Sequence, residues 1–181
     1  AEAINLSTAA VQRRITAMEA AGVITKNVAL VDPAAVSVTI SATRPVVSER
    51  SMYWPGTSAS WQEAHNSFGV TETGVTWGLA EGRNGGTLAF DTYILIANPS
   101  AQDAQVRVTF LLPDGSAAAP LTRTVLANSR FNIFPHEMPS GEFGAVIEST
   151  NGVPIVVERA MYWTPPGGVV WDGGTNALAT K

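Results

Sequence analysis

Few residues in this sequence could carry out acid–base chemistry near neutral pH. The two histidines, His65 and His136, lie in segments where we expect loops, and neither has a nucleophile motif beside it. The chain contains no Gly-x-Ser-x-Gly elbow and no His-Glu-x-x-His pair. Glu81 and Asp91 could form the carboxylate pair of a glycoside hydrolase, or hold calcium with Asp172, but no Asp-x-Asp-x-Asp-Gly loop accompanies them. We therefore predict no catalytic residue, no metal site and no cofactor, and a protein that is not an enzyme.

Aromatic side chains could instead bind a sugar by stacking on its ring. The chain has five tryptophans and three tyrosines, and the candidate ligand-binding residues are Trp61, Trp77, Trp171 and Tyr93. A carbohydrate-binding module needs at least two tryptophans that are coplanar and exposed. Trp61 and Trp171 correspond to each other in the repeat described next, which favours packing, and Trp77 fits a core position equally well.

One long internal repeat organises the chain. VVSERSMYW at 46–54 and IVVERAMYW at 155–163 each follow a proline, and their Glu-Arg pairs are 109 residues apart. Beyond the following turn, two further pairs match at a spacing of 110 residues: Trp61 with Trp171, and Asn66 with Asn176. A period of this size indicates one unit of a tandem array together with part of its neighbour. We therefore expect a structural role for the Glu-Arg pairs, and the same sense of burial in both strands, with Met52 and Met161 inside.

The composition limits the partners. Charged residues make up 14% of the chain against about 25% in a typical protein, and the net charge is −4, so we do not expect nucleic acid or an anionic membrane as the main partner. The absence of cysteine excludes disulfides and Cys-ligated metals. No apolar run approaches 18 residues, so the sequence predicts no membrane-spanning helix, and no signal peptide is visible.

Residues 1–35 differ in kind from the rest. Ser7 is a good N-cap, and Val11, Ile15 and Met18 recur at helical spacing, which predicts a helix over 8–20, followed by a short strand or hairpin arm at 23–31. The segment resembles the recognition helix and wing of the Lrp/AsnC family of bacterial regulators. The residues that carry this resemblance are Leu6-Ser7, Val11-Gln12-Arg13-Arg14-Ile15, Met18-Glu19, Gly22-Val23-Ile24 and Val31-Asp32-Pro33.

That resemblance implies a DNA-binding regulator in which Gln12, Arg13 and Arg14 face the major groove. The alternative is an amphipathic helix packed on a neighbouring surface. The segment balances three basic against three acidic residues, which does not favour DNA binding.

From residue 36 onward the apolar period changes to two, as in Val36, Val38 and Ile40. Further strands are predicted at about 75–80, 88–97, 106–110, 120–126, 130–134 and 143–147, besides the two repeat strands. We expect turns at 81–86 and 98–100, and a hairpin turn at Asn151-Gly152. Eight or nine short strands without helices predict an antiparallel, immunoglobulin-like β-sandwich over 36–181, joined to one short N-terminal α-helix in a segment over 1–35.

Residues 36–181 resemble a repeated module of large bacterial surface or secreted proteins, marked by a Val-Glu-Arg-Ala-Met-Tyr-Trp strand. The other matching pieces are Trp77-Gly78-Leu79-Ala80-Glu81-Gly82, Phe90-Asp91-Thr92-Tyr93-Ile94-Leu95-Ile96-Ala97-Asn98-Pro99 and Gly174-Thr175-Asn176-Ala177. The resemblance implies an extracellular β module without catalytic residues. We therefore expect a non-enzymatic spacer or adhesion unit whose partners are other repeat units or a surface polysaccharide, with homo-oligomers as a further option. The alternatives are a carbohydrate-binding module, a DNA-binding regulator and a hydrolase, the last of which needs a cleft that brings one of the histidines to an acid.

Overall fold

A computed structural model describes residues 24–32, 35–54 and 63–181. The helix predicted over 8–20, with Gln12, Arg13 and Arg14, lies outside the described residues, and so does Trp61. The chain divides into two compact units, Ala1–Ser48 and Glu49–Lys181.

The described part of the first unit is an antiparallel hairpin. Strands β1 (Ile24–Asp32) and β2 (Ala35–Ala42) pair from Ile24 opposite Ala42 to Asp32 opposite Ala35. Both strands were expected from the sequence. The predicted boundary between residues 35 and 36 falls within β2, because this strand pairs with β1 and the second unit begins only at Glu49.

The second unit contains the two repeat strands and every strand predicted between them. Its strands are β3 (Glu49–Trp54), β4 (Glu63–Phe68), β5 (Thr76–Asn84), β6 (Asp91–Asn98), β7 (Ala104–Leu111), β8 (Leu121–Val125), β9 (Ser129–Ile133), β10 (Gly141–Ser149), β11 (Val156–Trp163) and β12 (Gly173–Leu178). A 3-10 turn at Pro135–Glu137 follows β9. Two four-stranded antiparallel sheets form, with the order β5-β10-β7-β8 in sheet I and β12-β11-β6-β9 in sheet II, and β3 and β4 pair separately.

A single apolar core joins the two sheets. β6 shows why, because every second residue along it is buried, as the period of two requires. Its Ile94 and Ile96 are fully buried together with Val108 and Ile147 from sheet I. The unit is therefore mainly antiparallel β, consistent with a β-sandwich, and we refer to sheets I and II as the sandwich. Among the described residues, no helix is long and apolar enough to cross a membrane.

Two turn predictions were wrong. The 81–86 turn lies later, because β5 continues to Asn84 and the chain reverses over 85–89, where Gly85, Gly86 and Ala89 have positive φ. Asn84 stabilises this end of the strand by accepting a hydrogen bond from the backbone N–H of Thr92 at 2.8 Å.

The Asn151-Gly152 turn does not close a hairpin, because β10 and β11 lie in different sheets. Gly152 does have the positive φ of a turn residue. Ile155 then exchanges backbone hydrogen bonds of 2.8 and 2.9 Å with Gly74, and the chain continues into β11 of sheet II instead of returning along β10.

Candidate functional site: the outer face of sheet II

The two Glu-Arg strands begin hairpins of the same construction. β3 pairs with β4 from Glu49 opposite Phe68 to Trp54 opposite Glu63. β11 pairs with β12 in the same register, and its pairs follow in the same order: Glu158 with Leu178, Arg159 with Ala177, Ala160 with Asn176, Met161 with Thr175, Tyr162 with Gly174 and Trp163 with Gly173. We call β3–β4 the first repeat hairpin and β11–β12 the second repeat hairpin.

A hydrogen bond inside each hairpin explains why the asparagines are repeated. Asn66 Nδ2 donates to Glu49 Oε1 at 2.8 Å, and Asn176 Nδ2 donates to Glu158 Oε1 at 3.0 Å. Each bond links one strand to the other across the hairpin on the glutamate side. The glutamate of the Glu-Arg pair therefore has a structural partner within its own hairpin.

An aromatic cluster covers the surface of sheet II that faces away from the core. Tyr162 stacks on Trp171, with ring centroids 4.8 Å apart and an interplanar angle of 23°, and Tyr93 meets both rings edge-on at about 6 Å. Trp171 Nε1 also donates to Asp91 Oδ2 at 3.0 Å. We call this surface, defined by Tyr93, Glu158, Tyr162, Trp171 and Asn176, the outer face of sheet II.

The first repeat hairpin docks on this outer face. Arg50 forms a direct ion pair with Glu158, so Glu158 accepts from Arg50 and from Asn176 through the same oxygen. His65 Nε2 lies 3.4 Å from the hydroxyl oxygen of Tyr162, and strand β4 runs beside β12. The arginine side of the first hairpin thus contacts the glutamate side of the second.

Burial under the docked hairpin shifts several pKa values. Desolvation and the nearby Arg50 guanidinium lower the pKa of His65, and Glu158 partly opposes this shift. Burial raises the pKa of Tyr162, although Arg50 partly offsets the effect. Burial, followed by repulsion from Arg50, lowers the pKa of Arg130, which belongs to the same surface. The contact therefore favours a neutral His65.

The opposite side of β11 points into the sandwich. Arg159 is only 3% exposed, and its Nη1 donates to Glu81 Oε2 at 2.9 Å across the two sheets. Asp91, in contrast, binds Trp171 on the outer face of sheet II. Glu81 and Asp91 thus lie on opposite sides of sheet II, so these two side chains do not come together as a carboxylate pair or a calcium site. Within the ranges described above, no group of three His, Cys, Asp or Glu side chains could hold a metal ion.

The other candidate residues, Trp77, His65 and His136, have packing or pairing contacts within the fold. Trp77 is 3% exposed in the core and its Nε1 donates to the carbonyl of Gly74 at 3.1 Å, so its assignment to a sugar-binding surface was wrong. His65 belongs to strand β4 and not to a loop, because its register places it opposite Met52. His136 lies in the 3-10 turn, stacked on Phe134 with centroids 5.9 Å apart.

The predicted burial of the two methionines holds for one of them. Met161 is 5% exposed, whereas Met52 is 38% exposed, because the first hairpin lies on the surface of the sandwich and not within it. The orientation of the two strands agrees nevertheless, since Arg50 and Arg159 both point toward the sandwich.

The sequence did not indicate a groove that the structure shows at one end of the sandwich. Its volume is about 460 Å³, and it is lined in part by Arg83, Phe90, Glu142, Phe143 and Met161. The Arg83 guanidinium lies 4.9 Å from the Phe90 ring centroid and 3.7 Å from a Glu142 oxygen. Arg83 and Glu142 are far apart in sequence, and only the pairing of β5 with β10 places them opposite each other.

No protein-family model matches this chain, and no curated protein matches it. Among solved structures, the chain is similar to the sensory rhodopsin transducer of Anabaena, with 27% sequence identity and a TM-score of 0.40, over 49% of this chain and 97% of that one. It is also similar to protein 1070 of Thermotoga maritima, with 17% identity and a TM-score of 0.47, over 61% and 96% of the two chains. At these TM-scores the similarities assign neither a family nor a function.

Proposed function

We propose that this chain is a non-enzymatic structural module of a bacterial repeat protein, secreted or exposed at the cell surface, where it acts as a spacer or adhesion unit. The observation that carries the proposal is the duplicated hairpin, with one register and one Glu–Asn hydrogen bond in both copies. Duplication of a packing element is characteristic of repeat proteins, whose units contact their neighbours through recurring surfaces.

The immunoglobulin-like assignment belongs to the same proposal. It is supported by the order of the strands, since β5, β6 and β7 alternate between sheets I and II, and β9, β10 and β11 do so again. Crossing of this kind between two antiparallel sheets is typical of Greek-key sandwiches.

The chemistry of the candidate site supports a structural role. Glu81, Asp91 and Glu158 each have a partner that fixes the fold, namely Arg159, Trp171 and Asn176. General acid–base catalysis needs a titrating group within reach of a substrate. The described carboxylates of this region are engaged in packing contacts instead.

Cell fractionation tests the location. In the bacterium that carries the gene, immunoblotting should find the protein in the surface or medium fraction, and a cytosolic marker serves as the control. Confinement of the protein to the cytosol would contradict the proposal.

An activity assay tests the non-enzymatic assignment. Purified protein should leave ester, peptide and glycoside reporters unchanged, and turnover that disappears in His65→Ala would contradict this assignment.

Carbohydrate binding is a second candidate, favoured by the groove of about 460 Å³. Arg83, Glu142 and the Phe90 ring place charged hydrogen-bonding groups beside an aromatic surface there, a combination that suits a polyol. A glycan array probed with the full chain tests this candidate. Binding that is lost in Arg83→Ala but retained in Arg107→Ala, a matched arginine on the outer surface of sheet I, would establish it.

A further inference from the structure

The second repeat hairpin occupies a defined place in the sandwich, which we call the terminal position. β11 pairs with β6 there, with Glu158 opposite Leu95 and Met161 opposite Thr92. Arg159 reaches Glu81 in sheet I from the same strand. The terminal position thus requires a strand with arginine and methionine two residues apart on its inner side, paired with a second strand in the register already described.

The first repeat hairpin meets these requirements. Arg50 and Met52 have the spacing of Arg159 and Met161, and they share one side of β3 by the period of two. The register of β3 with β4 equals that of β11 with β12 at every pair. In this structure the arginine side of the first hairpin lies on the outer face of sheet II, at the surface. The arginine side of the second hairpin is buried between the two sheets.

The contacts made by the residues after β12 make the exchange geometrically direct. After β12, Thr180 exchanges backbone hydrogen bonds of 2.7 and 3.0 Å with Gly78, and Lys181 Nζ donates to Glu72 Oε2 at 2.8 Å. At the repeat spacing of 110, Lys181 corresponds to Thr71, the residue immediately before Glu72. If the first hairpin occupied the terminal position, Thr71 would take the place of Lys181 and would lie beside Glu72. The chain could then continue into β5 without any additional residues.

One residue explains why the second hairpin holds the position here. A Cβ on Gly173 would lie 2.4 Å from the Trp163 ring, so this ring can lie over strand β12 only because the residue opposite it is a glycine. The register places Glu63 at the matching point of the first hairpin, opposite Trp54. At this pair the first hairpin fits the terminal position less well than the second hairpin does. Its register, its Arg50 and its Met52 match those of the second hairpin equally well.

We infer that the terminal position of the sandwich is a binding site for either repeat hairpin of this chain, and that the first hairpin can replace the second there. Replacement keeps the pairing with β6 and offers Arg50 to Glu81. It releases the second hairpin, whose arginine side then becomes available to a neighbouring surface, as the arginine side of the first hairpin is in this structure.

Engineered cysteine pairs in the full chain test the exchange, because the chain contains no cysteine of its own. In a Glu49→Cys/Leu95→Cys variant, replacement of β11 by β3 places the two thiols opposite each other, whereas in the docked hairpin Glu49 lies on the side of β3 opposite Arg50, away from sheet II. Glu158→Cys/Leu95→Cys is the reference for the arrangement seen here, since these two residues pair directly. With oxidised glutathione as the electron acceptor, we expect the reference to close rapidly and the Glu49→Cys pair to close more slowly, as a monomer on a non-reducing gel.

Adding Gly173→Ala should speed closure of the Glu49→Cys pair by roughly fivefold or more, because the new Cβ overpacks against Trp163 and weakens only the second hairpin. Gly78→Ala is the matched control, since its Cβ would make ordinary contacts at 3.8 Å. That control should leave the rate unchanged.

Three results would overturn the inference. The Glu49→Cys pair could stay reduced in both backgrounds while the reference pair closes. It could close only between chains, as a covalent dimer. A Glu49→Cys/Arg107→Cys pair, whose second thiol lies on sheet I, could close at the same rate, which would indicate general unfolding instead of exchange.

Discussion

The two repeat methionines provide a comparison of the same substitution in two environments. Met52 and Met161 lie in nearly identical strands and have the same register within their hairpins, yet they are 38% and 5% exposed. We predict that Met161→Ala destabilises the protein strongly and that Met52→Ala does so weakly. The sequences of the two strands alone would predict equal losses.

The magnitudes follow from burial. Truncation of a buried methionine to alanine costs about 2–5 kcal/mol, the sum of lost apolar transfer and of the cavity that remains. Since about 1 kcal/mol shifts the melting temperature of a domain of this size by roughly 2–4 °C, Met161→Ala should lower it by roughly 4–20 °C. Met52 already contacts water and leaves no closed cavity, so its truncation should cost roughly 1 kcal/mol or less.

Urea unfolding followed by circular dichroism measures both variants. Each should unfold with the slope of the unmodified protein, because neither substitution changes the area exposed on unfolding, and only the midpoint of Met161→Ala should move substantially. Equal losses in the two variants would refute the reasoning from burial. A larger loss in Met52→Ala would show that the first hairpin, and not the second, occupies the terminal position in solution.

Three further predictions concern the hairpins. The lowered pKa of His65 means that the folded state resists protonation, so docking of the first hairpin should weaken as the pH falls below about 6.5, and His65→Gln should abolish this dependence in hydrogen exchange. Gly173→Ala should cost about 1–3 kcal/mol in urea unfolding by overpacking, whereas Gly78→Ala should be close to neutral. A double-mutant cycle with Arg50→Ala and Glu158→Ala should give a coupling of about 1 kcal/mol that shrinks in 1 M salt, and a coupling of zero would contradict a stabilising ion pair.

The period of two was sufficient to predict most strands, because half-buried strands show it directly in their residue types. β6 and β7 are clear examples, because every second residue is buried throughout both strands. Glu81 and Asn84 were assigned to a turn because charged, amide and glycine residues are frequent in turns. Glu81 is instead bound by Arg159, 78 residues away, and Asn84 by the backbone N–H of Thr92 on the next strand, and neither contact is visible in the local residue pattern.

The candidate site could be predicted only in part for the same reason. Repetition predicted a structural role for the Glu-Arg pairs, and in the second pair Glu158 accepts from Asn176 while Arg159 donates to Glu81. The pairing of Arg50 with Glu158 joins one copy to the other, and repetition alone cannot show which copies touch. Trp77 and Trp171 have the same side-chain chemistry, and only the fold assigns one to the core and the other to the surface cluster.

The substitutions between the two hairpins follow the difference in their surroundings. Tyr162 is covered by the docked hairpin and is 7% exposed, whereas its equivalent Tyr53 is 54% exposed. Where the second hairpin has the small apolar Ala160, the first has Ser51, on the same glutamate side of the strand. Burial of that side in the second copy favours an apolar residue, and exposure in the first tolerates a hydroxyl. The two copies therefore share a register and an arginine side, and they differ where only one of them is covered. We expect this pattern when two copies of one hairpin occupy different environments, the first at the surface and the second within the packed sandwich.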